Sequence, residues 1–469
     1  MMKTLNILNV NTRIWVVLAA LPILLLTSCD KYLDVQPKGK RLLKTVGDYD
    51  LWLNNVTSLE QAIPNELNSL DDNVDDIYIK NPFTTRDNFV YTWQPQFSTD
   101  LGTAPILWKD FYESIYYYNV VLNGIDEATG GSTGQKNSIR AEALLGRAFA
   151  YLYLVNLYGN VYKAETADKD LAVPFVTSHD LNKPTPPRST VKEIYDHIID
   201  DANAAIAGLP KDNSQNRFRG SLPAAYSVLA RTYLYMGNFA KAAENAQLAL
   251  DNGQKNVLDF GALSNVSAIP SIAIRPGAIY ARVHKTTFTQ FTPTLSLLKR
   301  FDKKDLRLAF YYTNLGDYSF NKRGATVHLG WGVSYSGAYP NCGTSVEEMR
   351  LILAETAARG NDLTKALSEL DLVRKARFKP ADYQQYQSNV QEEVLQKVLT
   401  ERNLEFVFNG TRWFDMRRLD AEGRMPEINR YDPQNNLIAT LSPHSKKYTL
   451  QIPIQVMAFN PGWPQNSSE

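Results

Sequence analysis

The sequence predicts an all-α chain in which tetratricopeptide-like helical hairpins form a scaffold interrupted by long irregular loop segments. One observation is a repeated helix–turn–helix pattern. Leu222-Pro223-Ala224 opens a helix through Tyr226, Leu229, Ala230, Tyr233 and Leu234, turns at Gly237-Asn238 and returns through Ala240, Ala243, Ala246 and Leu250. A second copy runs from Val346 through Met349, Ile352, Leu353, Glu355 and Ala358 to Gly360, then Ala366, Leu370, Val373 and Ala376. Apolar residues every three or four positions give each helix one buried stripe, and the small residues let two helices approach closely. The hairpins therefore span about residues 222–251 and 346–377, and units of this kind stack on one another. Between them, residues 254–344 lose the helical period while Gly, Pro, Ser, Thr and aromatic residues recur. A span that long without regular structure is normally functional.

In chain order, Lys3 and Arg13 precede an apolar run from Ile14 to Leu26. At about thirteen residues it is too short to cross a bilayer of about 30 Å as a helix and reads as the core of a secretory signal. It ends in Leu26-Thr27-Ser28-Cys29, the pattern of a bacterial lipobox. Residues 1–28 are then a lipoprotein signal peptide, Cys29 is the lipidation site, 29–44 form a lipidated tether and 45–469 a single helical domain. Cys342 is the one other cysteine, so the mature domain has no intrachain disulfide to draw on.

Helical segments begin near Val46. Asp71, Asp72, Asp75 and Asp76 crowd a short loop; their spacing is not that of an EF-hand, and they read as an acidic helix start rather than a Ca²⁺ site. Residues 81–105 mix prolines with Phe83, Phe89, Tyr91, Trp93 and Phe97, and read as irregular. Periodicity resumes from Trp108 to Leu122 and again over Ser138–Tyr158. Prolines 184, 186 and 187 make 180–189 an extended linker. Thr190 and Glu193 form a capping box for a helix over 191–209, and these helical segments are candidates for further pairs in the stack.

The stretch Glu401–Leu419 concentrates charge on a helix and its exit: Leu395, Val398, Leu399, Arg402 and Phe406 share one stripe. An arginine in line with apolar neighbours needs a carboxylate, and Glu401, Glu405 and Asp415 are nearest in sequence, with Gly410 placed to stop the helix. Such a group reads either as acid/base machinery or as a structural ion-pair network, and the second reading is preferred. After Leu419 the chain reads as irregular.

Composition narrows the function. With 50 basic and 49 acidic residues among 469, the formal charge is +1, which leaves no field to gather nucleic acid. His179, His197, His284, His328 and His444 have no metal-ligand spacing, and P-loop, G-x-S-x-G, H-E-x-x-H and C-x-x-C motifs are all missing. No catalytic residue, metal or cofactor is assigned. Tyrosine, at 26 residues against 19 Phe, combines a stacking face with a hydroxyl and suits a wet, polar-ligand surface.

Four stretches together resemble the SusD/RagB family of outer-membrane nutrient-binding lipoproteins: Cys29-Asp30-Lys31-Tyr32-Leu33-Asp34, Arg140-Ala141-Glu142 through Leu157-Tyr158-Gly159-Asn160-Val161, Glu401-Arg402 through Arg412-Trp413-Phe414-Asp415-Met416-Arg417-Arg418, and the closing Ile452-Pro453 and Asn460-Pro461. The resemblance implies a helical domain with tetratricopeptide-like hairpins and no catalysis. It also implies a partner, a SusC-like TonB-dependent outer-membrane transporter, and an oligosaccharide ligand, with peptide as the alternative and glycoside hydrolysis as a third reading. The location it implies is the cell surface, held to the outer membrane by lipid. A sugar ring asks for a flat aromatic platform rimmed by polar groups. The candidates are Tyr78 and Trp93 in the early loops and Trp331 and Tyr335 in the middle region.

Overall fold

The computed structural model describes residues 43–80, 82–285, 291–313, 320–329 and 340–468. Thr45–Glu469 form one unit. Its helices are α1 (Val46–Trp52), α2 (Glu66–Leu70), α3 (Arg86–Tyr91), α4 (Ile106–Gly124), α5 (Thr133–Tyr158), α6 (Val191–Ile206), α7 (Leu222–Tyr235) and α8 (Phe239–Asn252), then the short α9 (Leu295–Leu298) and α10 (Leu306–Tyr311). There follow α11 (Val346–Arg359), α12 (Leu363–Lys375), α13 (Gln391–Glu405), α14 (Arg412–Ala421) and α15 (Ile454–Phe459). Two short antiparallel pairs join β1 (Ala278–Tyr280) to β2 (Thr344–Ser345) and β3 (Ile428–Tyr431) to β4 (Leu437–Leu441).

Both expected hairpins are present, as α7–α8 and α11–α12. Gly237 turns the first with φ +71° and Asn361 the second with φ +62°, left-handed values that glycine and asparagine tolerate. The helices stack in sequence: α4 packs on α5, α5 on α6, α6 on α7, and α8 on α11. The segments 108–158 and 191–209 therefore extend the stack that the two hairpins establish. Gly146 shows how tight it is, since a Cβ there would collide with the Tyr118 ring on α4. Capping boxes at Thr45, Ser132 and Thr190 start α1, α5 and α6. The core runs through all of these helices, from Phe111 and Leu152 to Ala246, Ile352 and Trp413.

The charged stretch around α13 and α14 is a buried ion-pair lattice. Arg402 pairs with Asp415 at 2.8 Å, the one sequence neighbour of the three it reaches, and with Glu348 of α11 at 3.3 Å. Glu348 also holds Arg231 of α7 at 2.6 Å, while Arg418 joins Asp415 at 2.8 Å to Glu355 at 2.6 Å. Glu401 and Glu405 serve other arginines, Arg307 at 2.7 Å and Arg377 at 2.5 Å. Burial opposes the charge on Asp415, yet Arg402 and Arg418 hold its carboxyl down at about 2. Each carboxylate is committed to guanidinium groups, and this is a structural lock rather than acid/base machinery.

Several local expectations are corrected. The acidic cluster does not start a helix: Asp71 is the C-cap of α2, and its neighbours follow in an irregular segment. Residues after Leu419 are not all irregular, because Ile428–Tyr431 and Leu437–Leu441 pair as a hairpin and α15 follows. Gly410 does not end α13, which stops at Glu405; it turns the chain into α14 with φ +81°. Residues 81–105 include α3. Cys342 is buried and free.

Candidate functional site

The irregular segments converge at one place. Val74 bridges to Pro293, the Asp75 N–H donates to Thr292 O at 2.8 Å, and the Thr294 N–H donates to Asn73 O at 2.8 Å. Phe291 and His328 exchange backbone hydrogen bonds at 3.1 and 2.7 Å, and the Thr313 N–H donates to Val327 O at 2.9 Å. Beneath them lies a second apolar cluster that includes Val74, Ile79, Phe291, Tyr312, Phe320 and Phe408. Loops paired in this way are held in place although they lack regular structure.

Tyr78 stands at this convergence. It is 79% exposed, while Ile79 next to it is 2% exposed and anchors the segment in the second cluster. Its N–H donates to Asp76 Oδ1 at 3.0 Å, and Ile77 packs where Gly324 has no side chain. A tyrosine ring this open on an anchored backbone is a ready stacking face. The same segment carries a polar cluster. Asp75 accepts two hydrogen bonds from Arg323, at 2.7 and 2.6 Å, and Arg323 reaches on to Asn435 Oδ1 at 2.6 Å.

Trp93 is not part of this surface. It is 2% exposed, its indole N–H donates to Leu70 O at 2.8 Å, and the Arg430 guanidinium lies over its ring at 4.5 Å. A face already covered by a cation offers no platform, so Trp93 is corrected to a core residue. The structure does not bring it together with Tyr78 as a paired clamp. Trp331 and Tyr335 lie outside the described residues, as does Cys29.

The acidic cluster is dispersed over separate partners. Asp72 takes Arg412 at 2.7 Å and Asp75 takes Arg323, while Asp71 is buried and accepts the Asn73 N–H at 2.8 Å. Burial and the neighbouring Asp72 push the Asp71 carboxyl up to about 8. Among the described residues no group of three His, Cys, Asp or Glu side chains could hold a metal. Burial drives His284 below the ordinary imidazole range and His328 down to about 3, which leaves both neutral. No helix of the described residues is long and apolar enough to cross a membrane.

Sequence reasoning passed over Arg323 and the hairpin beyond it. Its tip, Asp432-Pro433-Gln434-Asn435-Asn436, is dense in turn-forming residues and was the signal that could have found it.

Comparison with known proteins places the chain among similar ones. Residues 31–234 match a family model described as starch-binding and associating with the outer membrane, and residues 348–468 match the SusD family model. The chain is 24% identical over 429 residues to SusD-like protein P2 of Formosa agariphila, covering 78% of this chain and 81% of that one. Among solved structures it is similar to a SusD superfamily protein from Bacteroides thetaiotaomicron, with TM-score 0.70, 20% identity and coverage of 90% of this chain and 100% of that one. It is also similar to a SusD-like carbohydrate binding protein from Bacteroides vulgatus, with TM-score 0.65, 18% identity and coverage of 90% and 97%.

Proposed function

Since the chain belongs to the SusD/RagB family, we propose that it is a cell-surface lipoprotein that captures oligosaccharides and passes them to a SusC-like TonB-dependent outer-membrane transporter. The observation that carries this reading is Tyr78: an aromatic face, 79% exposed, on a segment fixed among polar side chains. A pyranose offers an apolar C–H face and a hydroxyl rim, and such a ledge complements both. The family's description as starch-binding supports a sugar ligand, and one of the similar solved structures is named a carbohydrate binding protein. The lipobox ending at Cys29 supports an anchor at the outer membrane. Acyl chains contribute about 0.8 kcal/mol per buried CH₂, so two or more make a lasting anchor. Fatty-acid labelling of the wild type that disappears in Cys29→Ala, with release of the protein from the membrane fraction, checks this part.

Calorimetric titration against plant, host and microbial oligosaccharides and mixed peptides tests the ligand. Binding of one glycan class without turnover is expected, and Tyr78→Ala is expected to weaken it about tenfold, or about 1.4 kcal/mol. Peptide binding with no sugar binding would transfer the chain to peptide capture. Cleavage of any glycan would make it a hydrolase.

A further inference from the structure

We propose that Tyr431 and Leu437, cross-strand partners on the β3–β4 hairpin, form a second ledge of the ligand site, so that a neutral oligosaccharide runs from Tyr78 across the Asp75–Arg323 pair onto the hairpin. The inference rests on the sugar-capture reading above and adds where the chain of sugars goes.

The hairpin is attached to the Tyr78 segment by two independent sets of contacts. On its inner face Arg430, 2% exposed, donates to the carbonyls of Val74 and Asp71 and covers the rings of Tyr91 and Trp93 at 4.2 and 4.5 Å. At its tip Arg323 donates from Nη2 to Tyr431 O at 3.1 Å and from Nη1 to Asp432 O at 3.0 Å, while Nε and the same Nη2 grip Asp75. Alternation along a strand then forces the side chain after Arg430 outward. Tyr431 is 40% exposed, and Leu437, its partner in the register, is 58% exposed. Directly paired residues share a face, so the two form one apolar patch.

Two residues separate Tyr78 from Asp75, and one hydrogen-bonded guanidinium separates Asp75 from Tyr431. Two open aromatic faces thus flank a polar centre made of Asp75, Arg323 and Asn435. The charges of Asp75 and Arg323 cancel at 2.6 Å, which suits hydroxyls better than a uronate or sulfate. The span needs more than one ring to be used fully, so the ligand class is a neutral oligosaccharide whose affinity grows with length.

The test uses the full chain purified in detergent, titrated with neutral α-glucan, β-glucan, xylan and mannan fragments of one to six rings. For the series that binds, Tyr78→Ala is expected to weaken every length, whereas Tyr431→Ala/Leu437→Ala is expected to leave the shortest fragments unchanged and weaken the longest at least tenfold. Both hairpin side chains are exposed, so an unchanged unfolding midpoint is expected alongside. Hydroxyl-radical footprinting of the wild type provides a second reading, with Tyr431 protected by the longest fragment. Full length dependence in the double variant, or an unprotected Tyr431, overturns the inference while leaving sugar capture standing. A wild-type chain that binds only acidic glycans of the wider panel overturns the neutral-ligand inference, and one that binds no glycan at all overturns the capture reading itself.

Discussion

Glu348→Ala is expected to destabilise the fold by about 3–5 kcal/mol, the usual cost of removing one partner from a buried ion pair. Glu348 is 2% exposed and takes hydrogen bonds from Arg231 Nε at 2.8 Å and Nη2 at 2.6 Å, and from Arg402 Nη2 at 3.3 Å. Its removal leaves two guanidinium groups, each at most 2% exposed, facing one another without the anion between them. Asp415 still neutralises Arg402, but Arg231 keeps only Gly343 O and the Tyr153 hydroxyl. Arg402 Nη1 already lacks a partner, so the site has little slack. Glu348→Gln retains an acceptor and should recover part of the loss. As a control, Lys192→Ala removes an exposed, solvent-screened pair with Asp196 and should leave the unfolding midpoint nearly unchanged. Urea unfolding midpoints separate the cases: an alanine variant at Glu348 as mild as the one at Lys192 would mean that the lattice does not hold α7, α11 and α13 together.

That lattice also marks how far local sequence reaches. Arg402 declared its need for a carboxylate by sitting in an apolar stripe, and Asp415, close in sequence, answers it. Glu348 belongs to another hairpin, and no local pattern points from Arg402 to it. The hairpins themselves were legible because their periodicity and their turns at Gly237-Asn238 and Gly360-Asn361 are local properties. So was the capping box at Thr190 and Glu193, which needs only four residues. Trp93 was misread for the opposite reason. Its neighbours Pro95 and Tyr91 look like an exposed aromatic loop, and what buries it is Arg430, brought in by a hairpin near the other end of the chain. The hairpin was overlooked because Arg430, a charged residue, occupies the inward position where a strand pattern calls for an apolar one. Tyr78 was named as an aromatic residue in an early loop, and its exposure agrees with that placement. The pairing that joins its segment to Arg323 links segments far apart in sequence.

Asp71→Asn is expected to raise stability at neutral and mildly alkaline pH and to flatten its decline between about pH 4 and pH 8. Burial, with Asp72 alongside, lifts the Asp71 carboxyl to about 8 in the folded chain, against about 3.9 for an unfolded aspartate. Between those values the native chain holds one proton more than the unfolded chain, so stability falls as pH rises. The contribution is complete below about pH 4 and lost as pH passes through about 8; at about 1.36 kcal/mol per unit the loss is at most about 6 kcal/mol. Asparagine has the same shape and no proton to lose. It keeps an acceptor for the Asn73 N–H, the bond that Asp71 Oδ1 makes at 2.8 Å. The contacts of Arg430 agree with an uncharged Asp71: this buried guanidinium donates to the backbone carbonyls of Val74, Ser69 and Asp71 rather than to the Asp71 carboxylate. Urea midpoints at pH 4.5 and pH 8 make the comparison, with the variant gaining on the wild type by at least about 2 kcal/mol as pH rises, which is under half the maximum. Parallel curves would show that Asp71 is ionised in the fold. Because Asp71 opens the segment that ends at Tyr78, and Arg430 ties that segment to Tyr431, a charge appearing at Asp71 acts on both ledges. Sugar affinity of the wild type is therefore expected to weaken above pH 8, and the affinity of the asparagine variant to hold.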